Sequence, residues 1–111
     1  MYYLEKTLEI AGSHRLDLDY ESKCANMHGH NWIITVYCKA AKVNHNGMVV
    51  DFTDISKVVM IYDHKNLNDL LDINPTAENM AYDICHAIPS CYKVKVQESA
   101  GNSAIYQKDG V

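Results

Sequence analysis

Three histidines carry the first chemical signal in this chain of 111 residues. His28 and His30 stand two apart at the start of a stretch rich in β-branched and aromatic residues. On an extended chain both imidazoles point to one face, which Trp32 and Ile34 continue. Such a pair is a two-ligand clip for a metal. His14 follows an earlier alternating segment that can pair with this one, so a third imidazole can join. Three imidazoles leave one tetrahedral position open for water or substrate, the arrangement of a catalytic zinc. Spacing alone also fits packing or surface histidines. Cys24 lies four residues before His28, in a polar stretch with no apolar neighbourhood of its own. Beside a metal or an imidazolium its thiolate is favoured. It then serves as nucleophile or base, or as a fourth ligand that closes the site, and spacing does not choose. Cys38, Cys85 and Cys91 fall in or beside expected regular elements and read as small buried hydrophobes.

Two carboxylates join this set. Asp63 precedes His64, and a carboxylate beside an imidazole can fix its tautomer and raise its basicity. The same pair also fits two solvated loop residues. Glu98 shares strand parity with Val94 and Val96, so a carboxylate ends an apolar row. It either reaches solvent or takes a partner, and a ligand presenting several N–H donors would supply one. His45 and His86 belong to no comparable group. The cations nearest these residues are Arg15, Lys23 and Lys65.

The elements that must position these groups follow from periodicity. Residues 3–10 alternate, with Leu4, Leu8 and Ile10 on one face and Glu5, Thr7 and Glu9 on the other, the period of a half-buried strand. Residues 14–27 read as a loop and residues 28–40 as a long strand. Asn44-His45-Asn46-Gly47 signals a turn, followed by a short extended piece over 48–52. Ile55, Val58, Val59 and Tyr62 form the stripe of a first helix, capped by Thr53 or Asp54. Residues 63–75 read as a polar loop. A second helix opens at Pro75-Thr76, with Thr76 as cap and Glu78 in the first turn. Ala77, Met80, Ala81, Ile84 and Ile88 line its apolar face, and Pro89 stops it. Residues 92–98 alternate again, Ala100-Gly101-Asn102 turns, and residues 103–107 return as the last strand. The expected architecture is α+β: one domain over 1–111, a four-stranded antiparallel sheet with two helices inserted between strands 2 and 3.

Composition narrows the function. Ten Lys and Arg against fourteen Asp and Glu give a net charge of −4, and no basic run is present. That argues against nucleic acid as the main partner. No apolar run approaches the roughly 20 residues needed to span a bilayer, which argues against a membrane role. The first residues carry no basic segment leading into an apolar one, so no secretory signal is visible. Four cysteines without a C-x-x-C pair fit a reducing cytoplasm. A chain this short buries only roughly 65% of its unfolded surface, so help from a metal or from oligomerisation is expected.

Taken together the motifs resemble a known family. In order these are Ser13-His14-Arg15-Leu16, Cys24-Ala-Asn-Met-His28-Gly-His30, Gly47-Met-Val-Val-Asp51-Phe52, Asp63-His64-Lys-Asn-Leu67-Asn68, Pro75-Thr76-Ala-Glu78-Asn79 and Glu98-Ser99. Nearly the whole chain is similar to the 6-pyruvoyl-tetrahydropterin synthase family, most closely to its bacterial 6-carboxy-5,6,7,8-tetrahydropterin synthase branch. The branch assignment rests on Cys24 and the Cys-x-x-x-His-Gly-His spacing. The resemblance implies a zinc ion on His14, His28 and His30, with Cys24 as the base. It implies Asp63 and His64 as a relay pair, and Glu98 as the carboxylate that grips the pterin and joins the relay. Thr76 and Glu78 would sit where the second helix meets the pterin pocket. The implied fold is the tunnelling fold, assembled as a homohexamer of two trimers with sites between subunits. The implied substrate is 7,8-dihydroneopterin triphosphate. The implied products are 6-carboxy-tetrahydropterin, acetaldehyde and triphosphate, an early step toward queuosine and other 7-deazaguanine nucleosides. Ile10-Ala11-Gly12-Ser13 departs from the family, which more often has Phe and Ala before the first histidine.

Overall fold

The computed structural model describes residues 1–111. The two alternating segments form β1 (Tyr2–His14) and β2 (His28–Ala40). They pair antiparallel along their whole length, from Tyr2 opposite Ala40 to His14 opposite His28. β4 (Cys91–Ser99) pairs with the other edge of β2, and β5 (Asn102–Gln107) pairs with β4. The positive φ of 81° at Gly101 makes the turn between them.

The sheet has five strands rather than four. The fifth, β3 (Lys65–Asn66), runs parallel to β1 beside Gly12 and Ser13, so the order is β3-β1-β2-β4-β5 and the sheet is mixed. It arises inside the segment expected as plain loop. Leu67, fully buried, draws that segment onto the core, and the Asn66 side chain accepts the Asn68 N–H to start a tight turn over Leu67–Asp69. Leu67, Leu70, Leu71 and Ile73 follow no strand alternation, so the segment carried no pattern that would place it.

The helices are α1 (Phe52–Val59) and α2 (Ala77–Ala87). Residues 48–51 do not form a strand, and Phe52 already belongs to α1. The cap of α1 is Asp51, two residues before Thr53 and three before Asp54. Its extended backbone lets its carboxylate accept the Thr53 N–H at 2.8 Å. Thr76 caps α2 as expected, with its hydroxyl accepting the Asn79 N–H at 3.1 Å. Losing such a cap typically costs about 1 kcal/mol.

One face of the sheet carries the core. Trp32, Ile34, Val36 and Cys38 of β2 alternate into it, joined by Ile10, Val94 and Val96. Ile55, Val59 and Tyr62 from the first helical region and Met80, Ala81, Ile84 and Cys85 from α2 cover them. The Tyr62 hydroxyl donates to Asp83, tying the end of the first helical region to α2.

The departure before His14 has a packing reason. A Cβ on Gly12 would lie 3.3 Å from Leu67 and from the Trp32 indole nitrogen, which itself donates to the Gly12 carbonyl at 3.1 Å. A bare backbone there lets the Leu67 turn and the indole close on β1 two residues before His14.

Cys38, Cys85 and Cys91 meet where β2, β4 and α2 join, all buried, with Cys85 and Cys91 Sγ atoms 3.4 Å apart. Cys24 stands apart and half-exposed. A maleimide added to the native, metal-free protein is therefore expected to label Cys24 alone, with the other three reacting only in denaturant. Peptide mass spectrometry reads this directly, and native labelling of a second cysteine would mean that the β2–β4–α2 seam opens.

Candidate functional site

The β1–β2 register places the three histidines. His14 pairs with His28 and Gly12 with His30, so all three rings stand on the core face at one end of the sheet. Their centroids lie 4.6, 4.9 and 5.2 Å apart. The Trp32 ring sits edge-on to both His14 and His30, at 4.9 and 5.2 Å, and walls the group from the core.

Backbone carbonyls fix two tautomers. His14 Nδ1 lies 2.7 Å from the Pro75 oxygen, and His28 Nδ1 lies 2.7 Å from the Asn26 oxygen. A carbonyl only accepts, so both Nδ1 atoms carry the proton and both Nε2 atoms keep a free lone pair, as metal-ligating histidines do. His14 is 1% exposed, yet its Nε2 has no hydrogen-bond partner, and neither has the buried Nε2 of His30. Burial pushes the His30 pKa down, with the Glu98 charge opposing and the other two imidazoles reinforcing. The neutral form that results is the form that ligates.

Glu98 closes the group. Its Oε1 lies 2.9 Å from His30 Nε2 and 3.3 Å from His14 Nε2. One donor atom from each of His14, His28, His30 and Glu98 lies within 4.8 Å of the others. Orphaned, buried imidazole nitrogens converging with a carboxylate fit a divalent metal; unfilled, they would be a desolvation cost without return.

The group opens onto a cleft of about 560 Å³ bordered by Lys23, Cys24, His28, His30, Glu98 and Asn102. Cys24 arrives there on a single tight turn, Lys23–Ala25, capped by Ser22, whose hydroxyl accepts the Cys24 N–H at 3.1 Å. The Leu16 N–H donates to the Cys24 carbonyl at 2.8 Å, which folds the loop back along the chain leaving His14. The thiol borders the cleft but is not one of the four converging donors. A smaller recess of about 240 Å³, bordered by Glu78, Glu98, Asn102 and Ser103, lies alongside. Glu98 and Asn102 are common to both. Thr76 contributes through its cap, and Glu78 through the recess wall.

Asp63 and His64 stand elsewhere. Asp63 Oδ1 accepts the Ala11 N–H at 2.9 Å and its Oδ2 lies 2.8 Å from His64 Nδ1. The His64 N–H donates to the Ala11 carbonyl at 2.7 Å. The Ala11 N–H, then His64, hold the Asp63 pKa below the usual carboxylate range. These bonds fasten the pair to the outer edge of β1, whereas the cleft is bordered by β2, β4 and the Cys24 turn. His64 has a positive φ of 56° and its side chain is 81% exposed. The pair is assembled as expected but is not joined to the cleft within one chain.

Several contributors had no readable signal. The Pro75 and Asn26 carbonyls are backbone atoms that any residue could supply. Asn68 exchanges two hydrogen bonds with the Arg15 backbone and Asn74 two with the Asp17 backbone, at 2.8–2.9 Å. These amides stand in for a strand partner and hold the chain straight beyond His14. An Asn-rich loop was visible in the sequence; its role in fixing the first histidine was not. Of the nearby cations, Lys23 reaches the cleft, while Arg15 borders a separate recess with Asn68 and Asn74.

Comparison with known proteins agrees with this arrangement. The chain is 33% identical over 121 residues to a 6-pyruvoyl tetrahydrobiopterin synthase of Dictyostelium discoideum, covering 88% of this chain and 90% of that one. It is 27% identical over 124 residues to a 6-carboxy-5,6,7,8-tetrahydropterin synthase of Bacillus subtilis, covering 96% and 85%. Against three archaeal relatives the chain spans between 37% and 56% of the relative's length. The structure of Caenorhabditis elegans 6-pyruvoyl tetrahydropterin synthase superimposes with a TM-score of 0.77 at 25% identity, covering 97% of this chain and 96% of that one. The family model for 6-pyruvoyl tetrahydropterin synthase matches residues 3–109, and the chain belongs to that family.

Proposed function

We propose that this chain is a zinc-dependent 6-carboxy-5,6,7,8-tetrahydropterin synthase. It would convert 7,8-dihydroneopterin triphosphate and one water to 6-carboxy-tetrahydropterin, acetaldehyde and triphosphate, as a carbon–carbon lyase acting in the cytoplasm on the way to queuosine. The observation that carries the reading is three converging imidazoles, two of them tautomer-fixed, beside a cleft bordered by a carboxylate of their donor set and a cysteine outside it. The Cys24-to-His28 spacing, matching that of the carboxy branch, selects the product. The Dictyostelium relative, matched over most of both chains, favours a second reading, 6-pyruvoyl product formation at the same site.

Bound at His14, His28 and His30, zinc supplies Lewis acidity toward the side-chain hydroxyls of the pterin. Cys24, as thiolate, moves the proton at the carbon beside the ring. Glu98 accepts hydrogen bonds from the pterin amino and ring N–H groups, with Glu78 on the neighbouring wall. Asp63 orients His64, which carries protons to and from the side chain. Lys23, on the rim, is the cation placed to meet triphosphate charge.

The separation of Asp63–His64 from the cleft supports a shared site, in which an adjacent copy supplies the pair. β1 has no strand on its outer edge along residues 2–10, and β5 has none beyond it. Open edges of this kind favour strand pairing between copies, in keeping with two trimers forming a hexamer.

Three outcomes are expected. Incubation of the zinc-loaded protein with 7,8-dihydroneopterin triphosphate should yield 6-carboxy-tetrahydropterin and acetaldehyde by mass spectrometry. A pyruvoyl product would move the chain to the other branch, and no turnover with zinc bound would leave a pterin-binding module. Cys24→Ala should keep zinc and pterin binding while turnover falls by about 100-fold or more; retained turnover would remove Cys24 from the chemistry. Cys24→Ala and His64→Ala proteins, each nearly inactive, should recover part of the activity when unfolded and refolded together, because mixed assemblies contain sites with both residues intact. Absence of recovery would place both residues in one chain's site.

A further inference from the structure

Glu98 borders the histidine cleft and the smaller recess at once, and the pterin-holding role uses only its second position. We propose that in the substrate-free protein Glu98 is the fourth protein ligand of the metal, and that a bound pterin draws its carboxylate away into the recess, so that the substrate's own ring opens the coordination position its side chain needs. This rests on the zinc reading above.

The distances favour a ligand over a simple ion pair. Bonds of about 2.0–2.1 Å to a tetrahedral ion set neighbouring donor atoms roughly 3.3 Å apart. Glu98 Oε1 lies 3.3 Å from His14 Nε2, the separation of two vertices, and 2.9 Å from His30 Nε2, somewhat inside it. One carboxylate oxygen stands against two imidazole nitrogens at once, so a single N–H···O bond to His30 does not account for its place beside His14 as well. A carboxylate paired with an imidazolium would point along its N–H. Here the donors stand side by side around a common point.

The four donors also differ in freedom. His14 is 1% exposed and held by Pro75, and His28 is held by Asn26. The Glu98 side chain is 30% exposed and sits near the end of β4, before the Gly101 turn. It is the donor that can leave without unpacking the core. What would draw it away is a flat heterocycle presenting adjacent N–H donors, which a carboxylate accepts in a bidentate pair. Once the carboxylate has moved, His14, His28 and His30 still hold the ion, and the vacated vertex faces the cleft where Cys24 stands.

The test needs no turnover. Zinc retention is measured by transfer to a chromophoric chelator, and the visible spectrum of Co²⁺-loaded protein is recorded with and without neopterin. Wild type, Glu98→Ala and Glu98→Gln are compared, with neopterin binding to the wild type confirmed by fluorescence. Both variants should lose zinc affinity by about tenfold or more. Their Co²⁺ spectra should differ from wild type, and neopterin should shift the wild-type spectrum while leaving that of Glu98→Ala unmoved. Wild-type affinity and spectrum in both variants would overturn the ligand role. A wild-type spectrum unmoved by bound neopterin would overturn the release. Wild-type protein that binds neither metal would overturn the zinc reading and this inference together, whereas a change of product branch touches neither readout.

Discussion

The register between β1 and β2 is the constraint on which the rest depends. Thirteen residues of one strand face thirteen of the other, and the pairing ends with His14 against His28. Because side chains alternate, a slip of β2 by one residue would turn His28 and His30 to the face opposite His14 and move Trp32, Ile34 and Val36 out of the core. The apolar row and the imidazole row are continuous, so one hydrophobic bias fixes both. Full burial of a side chain such as Ile34 or Val36 stabilises by about 1.5–3 kcal/mol. The position of the donor set is therefore enforced largely by apolar residues that offer it no ligand atom.

That register brings the imidazoles together but does not orient them. Orientation comes from polar atoms outside the sheet. The Pro75 carbonyl, at the entry to α2, and the Asn26 carbonyl, after the Cys24 turn, each hold an Nδ1–H. The caps and amide exchanges around these carbonyls thus bear on the site. Thr76 starts α2 immediately after Pro75, Asn79 Nδ2 donates to the Asn74 carbonyl, and Asn74 clamps Asp17. A break in this chain of bonds leaves the sheet intact and lets His14 rotate. Sheet packing sets where the ligands are; loop hydrogen bonds set which nitrogen they offer.

Legibility in the sequence follows the same division. Periodicity gave β1, β2, α2 and the core face, because alternation and helical spacing are written in side-chain type. It also gave the parity of Glu98, and hence a carboxylate needing a partner. It missed β3, a two-residue strand beside Leu67 with no alternation of its own, and it set the cap of α1 two or three residues late. Asp51, Thr53 and Asp54 can all cap a helix, and the choice falls to backbone angles. The reading of Glu98 as a pterin contact left out its place among the imidazole nitrogens. That place depends on the bend of β4 beyond Val96, where the pairing of β4 with β5 shifts register between Gln97 and Ser99. A bulge of this kind re-aims a side chain without any change in residue pattern.

The Asp63–His64 pair and the histidine cleft sit apart, one at the outer edge of β1 and the other between β2 and β4, and the reason is structural. Asp63 and His64 are fastened through both backbone groups of Ala11, which are free for bonding only because β1 has no regular partner strand at that point of its outer edge. The cleft needs the opposite arrangement, a fully paired β2 between β1 and β4, so that the imidazoles are backed by Trp32. One edge of a five-stranded sheet cannot serve both needs in the same place. A chain built this way gains by presenting the pair outward. His64 has its backbone in the left-handed region, its Nδ1 held by Asp63 and its side chain exposed. The outward face of that ring is therefore open to whatever lies beyond the edge of β1, and closed to the cleft of its own chain.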